Sequence, residues 1–180
     1  MKNRTLLKVT AIGLLVFGSL ALIGSTWVPP TYTVHTEIAL PASPEQSWKV
    51  LTDFSRYPQW NPYLVRVEGT LAPGEVISFT LVDGNFSAPF DGTARMAEVL
   101  ETEQFFWIGK AFIQGIYDTR HVFTLQPQED GSTLLLHFEE FRGLLPALLP
   151  AREQRNTHTR KAFESMNLAL QQRLARTRGH

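Results

Sequence analysis

The chain contains no cysteine, which excludes disulfides, thiolate metal sites and a cysteine nucleophile in any redox compartment. It also lacks the short glycine loops that cradle phosphate: neither G-x-G-x-x-G nor G-x-x-x-x-G-K occurs. Basic residues are scarce through most of the length. From residue 31 to 151 there are seven Lys/Arg against fifteen Asp/Glu, an acidic balance that argues against nucleic acid as a partner. The missing positive charge is collected at the end, where Arg152, Arg155, Arg160, Lys161, Arg173, Arg176 and Arg178 face only Glu153 and Glu164. Such a run reads first as the solvated face of a helix, and second as a surface drawn to anionic headgroups or an acidic partner.

Charge is absent altogether from Val9 to Val28, "VTAIGLLVFGSLALIGSTWV", a run that as a helix would span roughly 30 Å, the thickness of a bilayer's hydrocarbon. Lys2, Arg4 and Lys8 precede it and no Lys or Arg follows until Lys49. The positive-inside rule therefore places the N-terminal tail in the cytoplasm and everything after Pro30 on the outer, periplasmic or extracellular side. Gly24-Ser25-Thr26 is a poor peptidase site and Trp27 suits a membrane interface, which favours a retained single-pass anchor over a cleaved signal. Residues 1–30 are thus read as tail and anchor, and residues 31–180 as one domain, since 43% hydrophobic content over 180 residues suffices for one core.

The domain opens with an alternating strand, Thr31 to Leu40. Ser43-Pro44-Glu45-Gln46 then supplies an N-cap, a proline at the first helical position, an acidic first turn and a capping box. The helix it starts is short. Trp48, Leu51 and Phe54 recur at threefold spacing, but Pro58 and Pro62 forbid a long continuation, so Phe54, Tyr57 and Trp60 form an aromatic corner. Short strands with turn signals follow: Tyr63–Leu71, Val76–Val82, Gly92–Leu100, Gln104–Gly109, Tyr117–Gln126 and Ser132–Phe141. From about Pro150 to Thr177 the period turns helical, with Phe163, Met166, Leu170 and Leu174 in one stripe. Carried backwards, that stripe meets Thr159, Asn156 and Arg152, so one end of whatever lies beneath should be wet.

The stretch Pro41 to Pro62, through Ser43, Pro44, Glu45, Trp48, Leu51, Asp53, Phe54, Tyr57, Pro58, Trp60 and Asn61, resembles the signature of the START-like or SRPBCC superfamily (polyketide cyclase/dehydrase-like, Bet v 1-like). The segments Arg120–Leu145 and Thr159–Leu174 are similar to that group's last two strands and final helix. The resemblance implies an α+β helix-grip fold, a seven-stranded antiparallel curved sheet around a long C-terminal helix with a ligand cavity between them. It says little of function, because lipid carriers, receptors, cyclases and chaperone activators share the scaffold.

Within such a grip the expected ligand-binding residues are Phe79, Arg95, Trp107, His121, Phe123, His137, Asn156, Thr159, Phe163 and Met166. His121 falls on the face of its strand that also carries Thr119, Phe123 and Leu125, and is placed inward. In the last strand His137, Glu139 and Phe141 oppose Leu134, Leu136, Phe138 and Glu140, and alternation leaves both faces open. Arg95 and Arg142 suit an anionic head group at the mouth. The leading expectation is a membrane-tethered domain holding a hydrophobic or amphipathic, lipid-like molecule. The alternative is an enzyme of cyclase, dehydratase or hydrolase type using His121 with Glu139 and positioned water, the imidazole beside the carboxylate acting as general base. A divalent metal on His121, His137 and Glu139 is a further alternative, opposed by the absence of a tight local ligand pair such as two His on one helical turn, and no metal or cofactor is expected.

Overall fold

A computed structural model of the chain describes residues 30–111, 113–149 and 152–177. The charge-free run 9–28 lies outside the described residues, and among the described residues no helix is long and apolar enough to cross a membrane. Strand β1 (Tyr32–Leu40) buries Val34, Thr36 and Leu40 and exposes His35 and Glu37, as its alternation requires. Helix α1 (Pro44–Leu51) begins with both halves of the capping box formed: the Ser43 hydroxyl accepts from the Gln46 N–H, and the Gln46 side chain accepts from the Ser43 N–H. A 3-10 helix over Phe54–Gln59 completes the aromatic corner. There the Tyr57 hydroxyl donates to the Leu51 carbonyl at 2.6 Å, one of the carbonyls that the end of α1 leaves unpaired. The Asn61 side-chain oxygen accepts from the N–H groups of Tyr63 and Leu64 and so aims the chain into the next strand.

Strands β2 (Leu64–Glu68), β3 (Val76–Leu81), β4 (Phe90–Leu100), β5 (Gln104–Ala111), β6 (Tyr117–Pro127) and β7 (Thr133–Arg142) run as an antiparallel meander, and β1 closes beside β7 in the order β1-β7-β6-β5-β4-β3-β2. Strand β2 ends three residues earlier than the sequence suggests. Gly69 adopts φ +127°, and a Cβ there would lie 2.9 Å from the Val76 carbonyl oxygen, so the chain turns at the one residue without a side chain. A short helix α2 (Leu144–Leu148), not legible beforehand, follows β7.

The long helix α3 (Arg152–Thr177) lies across the sheet. Phe163, Met166, Leu170 and Leu174 are all buried against it, and Thr159, half-buried Asn156 and exposed Arg152 continue the stripe toward solvent. Polar side chains of α3 also cover the open edge of β1: Arg160 donates to the His35 carbonyl and Gln171 to that of Ala39, occupying a strand edge that would otherwise template pairing. The architecture is the α+β helix grip, a seven-stranded antiparallel sheet curved around the C-terminal helix. The pairings Tyr32↔Phe141, Ala111↔Tyr117 and Leu81↔Phe90 gather the start of β1, the β5–β6 connection, the β3–β4 loop and α2 at one end of the grip. By its place in the fold that end is the candidate mouth of the grip.

Candidate functional site

Along the middle of the grip runs a buried chain of polar side chains whose hydrogen-bond directions follow from one another. Thr36 has a single hydroxyl hydrogen, and it points at the His137 carbonyl, 3.0 Å away. The same oxygen must then accept from the Asn167 side-chain NH2 at 3.0 Å. This fixes the amide, so the Asn167 oxygen faces His137 Nδ1 at 2.8 Å and that nitrogen carries the proton. A neutral His137 is left with a bare Nε2. The contact of 2.7 Å between the two Nε2 atoms therefore has His121 as donor, and His121 Nδ1 is the bare nitrogen at the far end of the chain. Both rings are neutral for the same reason: burial disfavours the imidazolium, pushing His137 down to about 3 and His121 well below the usual histidine range.

Glu139 stands next in line. Its carboxylate Oε2 is 3.9 Å from His121 Nδ1, too far for a hydrogen bond. Burial pushes the carboxyl up to about 8, with the nearby negative charge of Asp83 adding to the effect and a hydrogen bond from Thr119 opposing it. At neutral pH it is a carboxylic acid beside a bare imidazole nitrogen, not one half of an ion pair. Gly109 on β5 lets Thr119 approach, for a Cβ there would meet the Thr119 hydroxyl at 2.8 Å.

Around Glu139 the mouth end is polar and partly open. Tyr32 and Tyr117 are hydrogen-bonded to each other, Tyr32 also meets Arg155, and burial raises both phenols, which stay protonated. The β3–β4 loop closes over them onto α3: Asn85 donates to the Arg155 carbonyl and to the Thr159 hydroxyl, which in turn donates to Asp83. The backbone of Gly84 lies against the His158 ring, where a Cβ would sit 3.0 Å from the ring carbon. The Asn156 side-chain oxygen is buried here without a protein partner.

The other half of the grip is filled. Phe105, Phe123, His137 and Phe163 form a stack with centroids 4.9, 4.4 and 4.0 Å apart in turn, and none of the four has any solvent-exposed surface. Of the residues expected to bind ligand, His121, Phe123, His137, Phe163 and Met166 are thus packed core, as is Trp107 at 3% exposure. Phe79, Asn156, Thr159 and Glu139 do lie toward the mouth. Arg95 does not: it is exposed on the outer face, bonded to the Gly74 carbonyl at the opposite end. Arg142 is likewise outside, paired with Glu140 at 2.9 Å. The face of β7 that lines the grip is that of His137 and Glu139. Sequence reasoning misses Tyr32, Tyr117, Asn167, Asp83 and Arg155, and also Tyr63, whose ring centroid lies 6.2 Å from that of His121 and 5.4 Å from that of Phe163. Two surface clefts, of about 380 and 530 Å³, lie at the far end around Lys49 and Asp53, bordered by Arg56 and Arg173 in one and Glu101 in the other. Among the described residues no three His, Asp or Glu are grouped to hold a metal ion.

A family model described as polyketide cyclase / dehydrase and lipid transport matches residues 31–178. No curated protein matches the chain. Among solved structures, a START superfamily protein from Mycobacterium smegmatis is 20% identical with a TM-score of 0.64, over 81% of this chain and 98% of that one. The Zhui aromatase/cyclase from Streptomyces sp. R1128 is 16% identical with a TM-score of 0.64, over 81% and 94%. A protein from Thermus thermophilus is 13% identical with a TM-score of 0.63, over 81% and 99%. At these identities the likeness is one of fold.

Proposed function

The chain belongs to the polyketide cyclase / dehydrase and lipid transport family, and on that premise we propose that it is a membrane-tethered binding domain for a hydrophobic or amphipathic, lipid-like molecule. The observation that carries this reading is the gradient along the grip. Its far half is filled by rings, while its mouth half presents Phe79 and Leu81 on the sheet, Tyr32 and Tyr117 at the rim and the un-ionised acid of Glu139 at the base. Such a site suits a molecule with an apolar body and one polar group, because an acid can donate to a carbonyl or hydroxyl oxygen without burying a charge. The partnerless Asn156 oxygen offers a second polar contact. Residues 9–28, flanked by Lys2, Arg4 and Lys8 on one side only, support anchorage with the domain on the outer side.

Native mass spectrometry of the full chain released from detergent tests the binding reading. A bound mass of lipid size is expected, lost or reduced in Glu139→Leu. A protein that carries no ligand, and takes up none when offered lipid extracts, overturns it.

One observation favours a second reading as an enzyme of cyclase, dehydratase or hydrolase type: Glu139 is held as an acid 3.9 Å from the bare Nδ1 of His121, a proton donor and a proton acceptor that a substrate or one water can bridge. Glu139→Gln keeps hydrogen bonding but not proton transfer. Retained binding with lost turnover of the bound compound supports the enzyme; unchanged chemistry in that variant excludes it.

A further inference from the structure

We propose that the mouth end of the grip is a bilayer-docking face, through which the domain exchanges its ligand directly with membrane lipid. The inference rests on the tether reading above and goes beyond it in naming which surface meets the membrane.

Large apolar side chains left in solvent are concentrated at this end. Phe86 and Phe90 are 46% and 41% exposed and stack on each other at 4.7 Å. Ile113 in the β5–β6 connection and Leu148 in α2 are both 68% exposed, with Leu144 and Leu149 beside them. The β5–β6 connection, α2 and the start of β1 are bonded to one another, and the β3–β4 loop reaches the same end through Asn85 and the first turns of α3. Leu144 and Leu145 donate their N–H groups to the carbonyls of Gly115 and Ile116, and Thr31 donates to Phe141 at the end of the strand that leads into α2. The opposite end carries Glu75, Glu101, Glu103, Glu129 and Asp130 at its turns together with Lys49, Arg56, Arg95 and Arg173, a charged surface of mixed sign that does not enter hydrocarbon. A set of exposed apolar loop tips at one end is the feature that marks a contact surface.

What covers that surface follows from where the chain enters. The charge-free run ends at Val28 and β1 begins at Tyr32, and four residues span at most about 14 Å even when fully extended. With residues 9–28 embedded, Tyr32 stays within that reach of the hydrocarbon. The headgroup layer is itself roughly 5–8 Å deep on each side. The reach exceeds that depth by only about 6–9 Å, so the loops that flank Tyr32 are held at or just outside the headgroups, and Phe86, Phe90, Ile113 and Leu148 are the side chains placed to enter. The site around Glu139 sits directly behind them, so a ligand passes between bilayer and grip without crossing water.

The absence of cysteine makes the test direct. Single-cysteine variants of the full chain, Phe86→Cys, Ile113→Cys and Leu148→Cys at the mouth and Glu101→Cys and Glu129→Cys at the far end, are labelled with an environment-sensitive fluorophore. They are then reconstituted in phosphatidylcholine/phosphatidylglycerol vesicles. Lipid-borne quenchers should quench the mouth labels severalfold more than the far-end labels, and aqueous iodide should do the reverse. If the protein floats with the vesicles but both ends are equally open to iodide, the docking face is wrong and the tether stands. Mouth labels shielded from iodide yet untouched by the lipid quencher mean that protein covers the face, which also overturns the proposal. A chain that does not float with vesicles at all removes the tether and the docking face together.

Discussion

The Nε2 atoms of His121 and His137 meet at 2.7 Å, and the direction of that bond is set two residues away by Thr36. Because the Thr36 hydrogen is committed to the His137 carbonyl, Asn167 cannot flip and each histidine is confined to one tautomer. Thr36→Val keeps the shape and removes the hydroxyl, leaving the Asn167 NH2 and the His137 carbonyl buried and short of a partner. The expected loss is about 1–3 kcal/mol, measured by denaturant unfolding, with Thr36→Ser recovering most of it. A Thr36→Val protein as stable as the parent would show that the tautomers are not anchored at Thr36.

The same groups shape stability against pH from two sides. His121 and His137 are held neutral, with the folded value of His137 at about 3 against 6.5 unfolded. The unfolded chain therefore binds more protons below about pH 6.5, and stability falls as the pH drops from there. Glu139 works the other way, because its folded value of about 8 exceeds the unfolded 4.5. Between those values the folded state binds the extra proton, and stability falls as pH rises through the window. Each group contributes a slope of up to about 1.4 kcal/mol per pH unit. The expected profile peaks near pH 6.5, where the histidine limb gives way to the glutamate limb. Glu139→Gln should flatten the alkaline limb and steepen the acid limb between about pH 4.5 and 6.5, where the glutamate slope opposed that of the histidines. A parent profile that is level between pH 6.5 and 8 would mean that the carboxyl is not held as an acid.

How far the sequence can anticipate this depends on the range of the information needed. The capping box at Ser43, the aromatic corner and the stripe of α3 are local patterns, and the structure forms all three. The inward face of β7 is not decidable from alternation because its outer face is also apolar: Leu136 and Phe138 flank Val122, which is fully buried on the outside of the sheet. Asn167 lies four residues after Phe163, on the buried stripe by spacing, and its polarity hides it from a search for apolar periodicity. Tyr32, Tyr117 and Arg155 converge only through the pairing of β1, β7 and β6 and the placement of α3, a non-local fact that alternation within one strand does not contain. Arg95 is misplaced by sequence reasoning for the same reason. Its register partner is Val76, at the far end of β3.

The β3–β4 loop is held over the site by few bonds. Asn85 makes the contacts to the Arg155 carbonyl and to Thr159, and these are only partly shielded from water. Asn85→Ala should therefore cost little global stability, on the order of 1 kcal/mol. It should nevertheless raise amide hydrogen exchange through residues 83–90 and speed ligand release. Hydrogen exchange by mass spectrometry reads the first and dilution of loaded protein the second. Unchanged exchange in the loop would show that the Asp83–Thr159 bond or the Gly84–His158 contact holds it instead.

Tyr57 separates scaffold from site. Its ring is fully buried between Phe54 and Trp60, and its hydroxyl donates to the Leu51 carbonyl at 2.6 Å. Tyr57→Phe keeps the ring and orphans that carbonyl at the end of α1, so a loss of about 1–3 kcal/mol is expected on thermal or denaturant unfolding. Ligand affinity should not move. The corner lies at the far end of the grip, against Phe105, while the polar groups of the mouth are reached from β1, β6, β7 and the first turns of α3. A Tyr57→Phe protein that is as stable as the parent but binds ligand more weakly would reverse the assignment, making the residues that best mark the family part of its binding site.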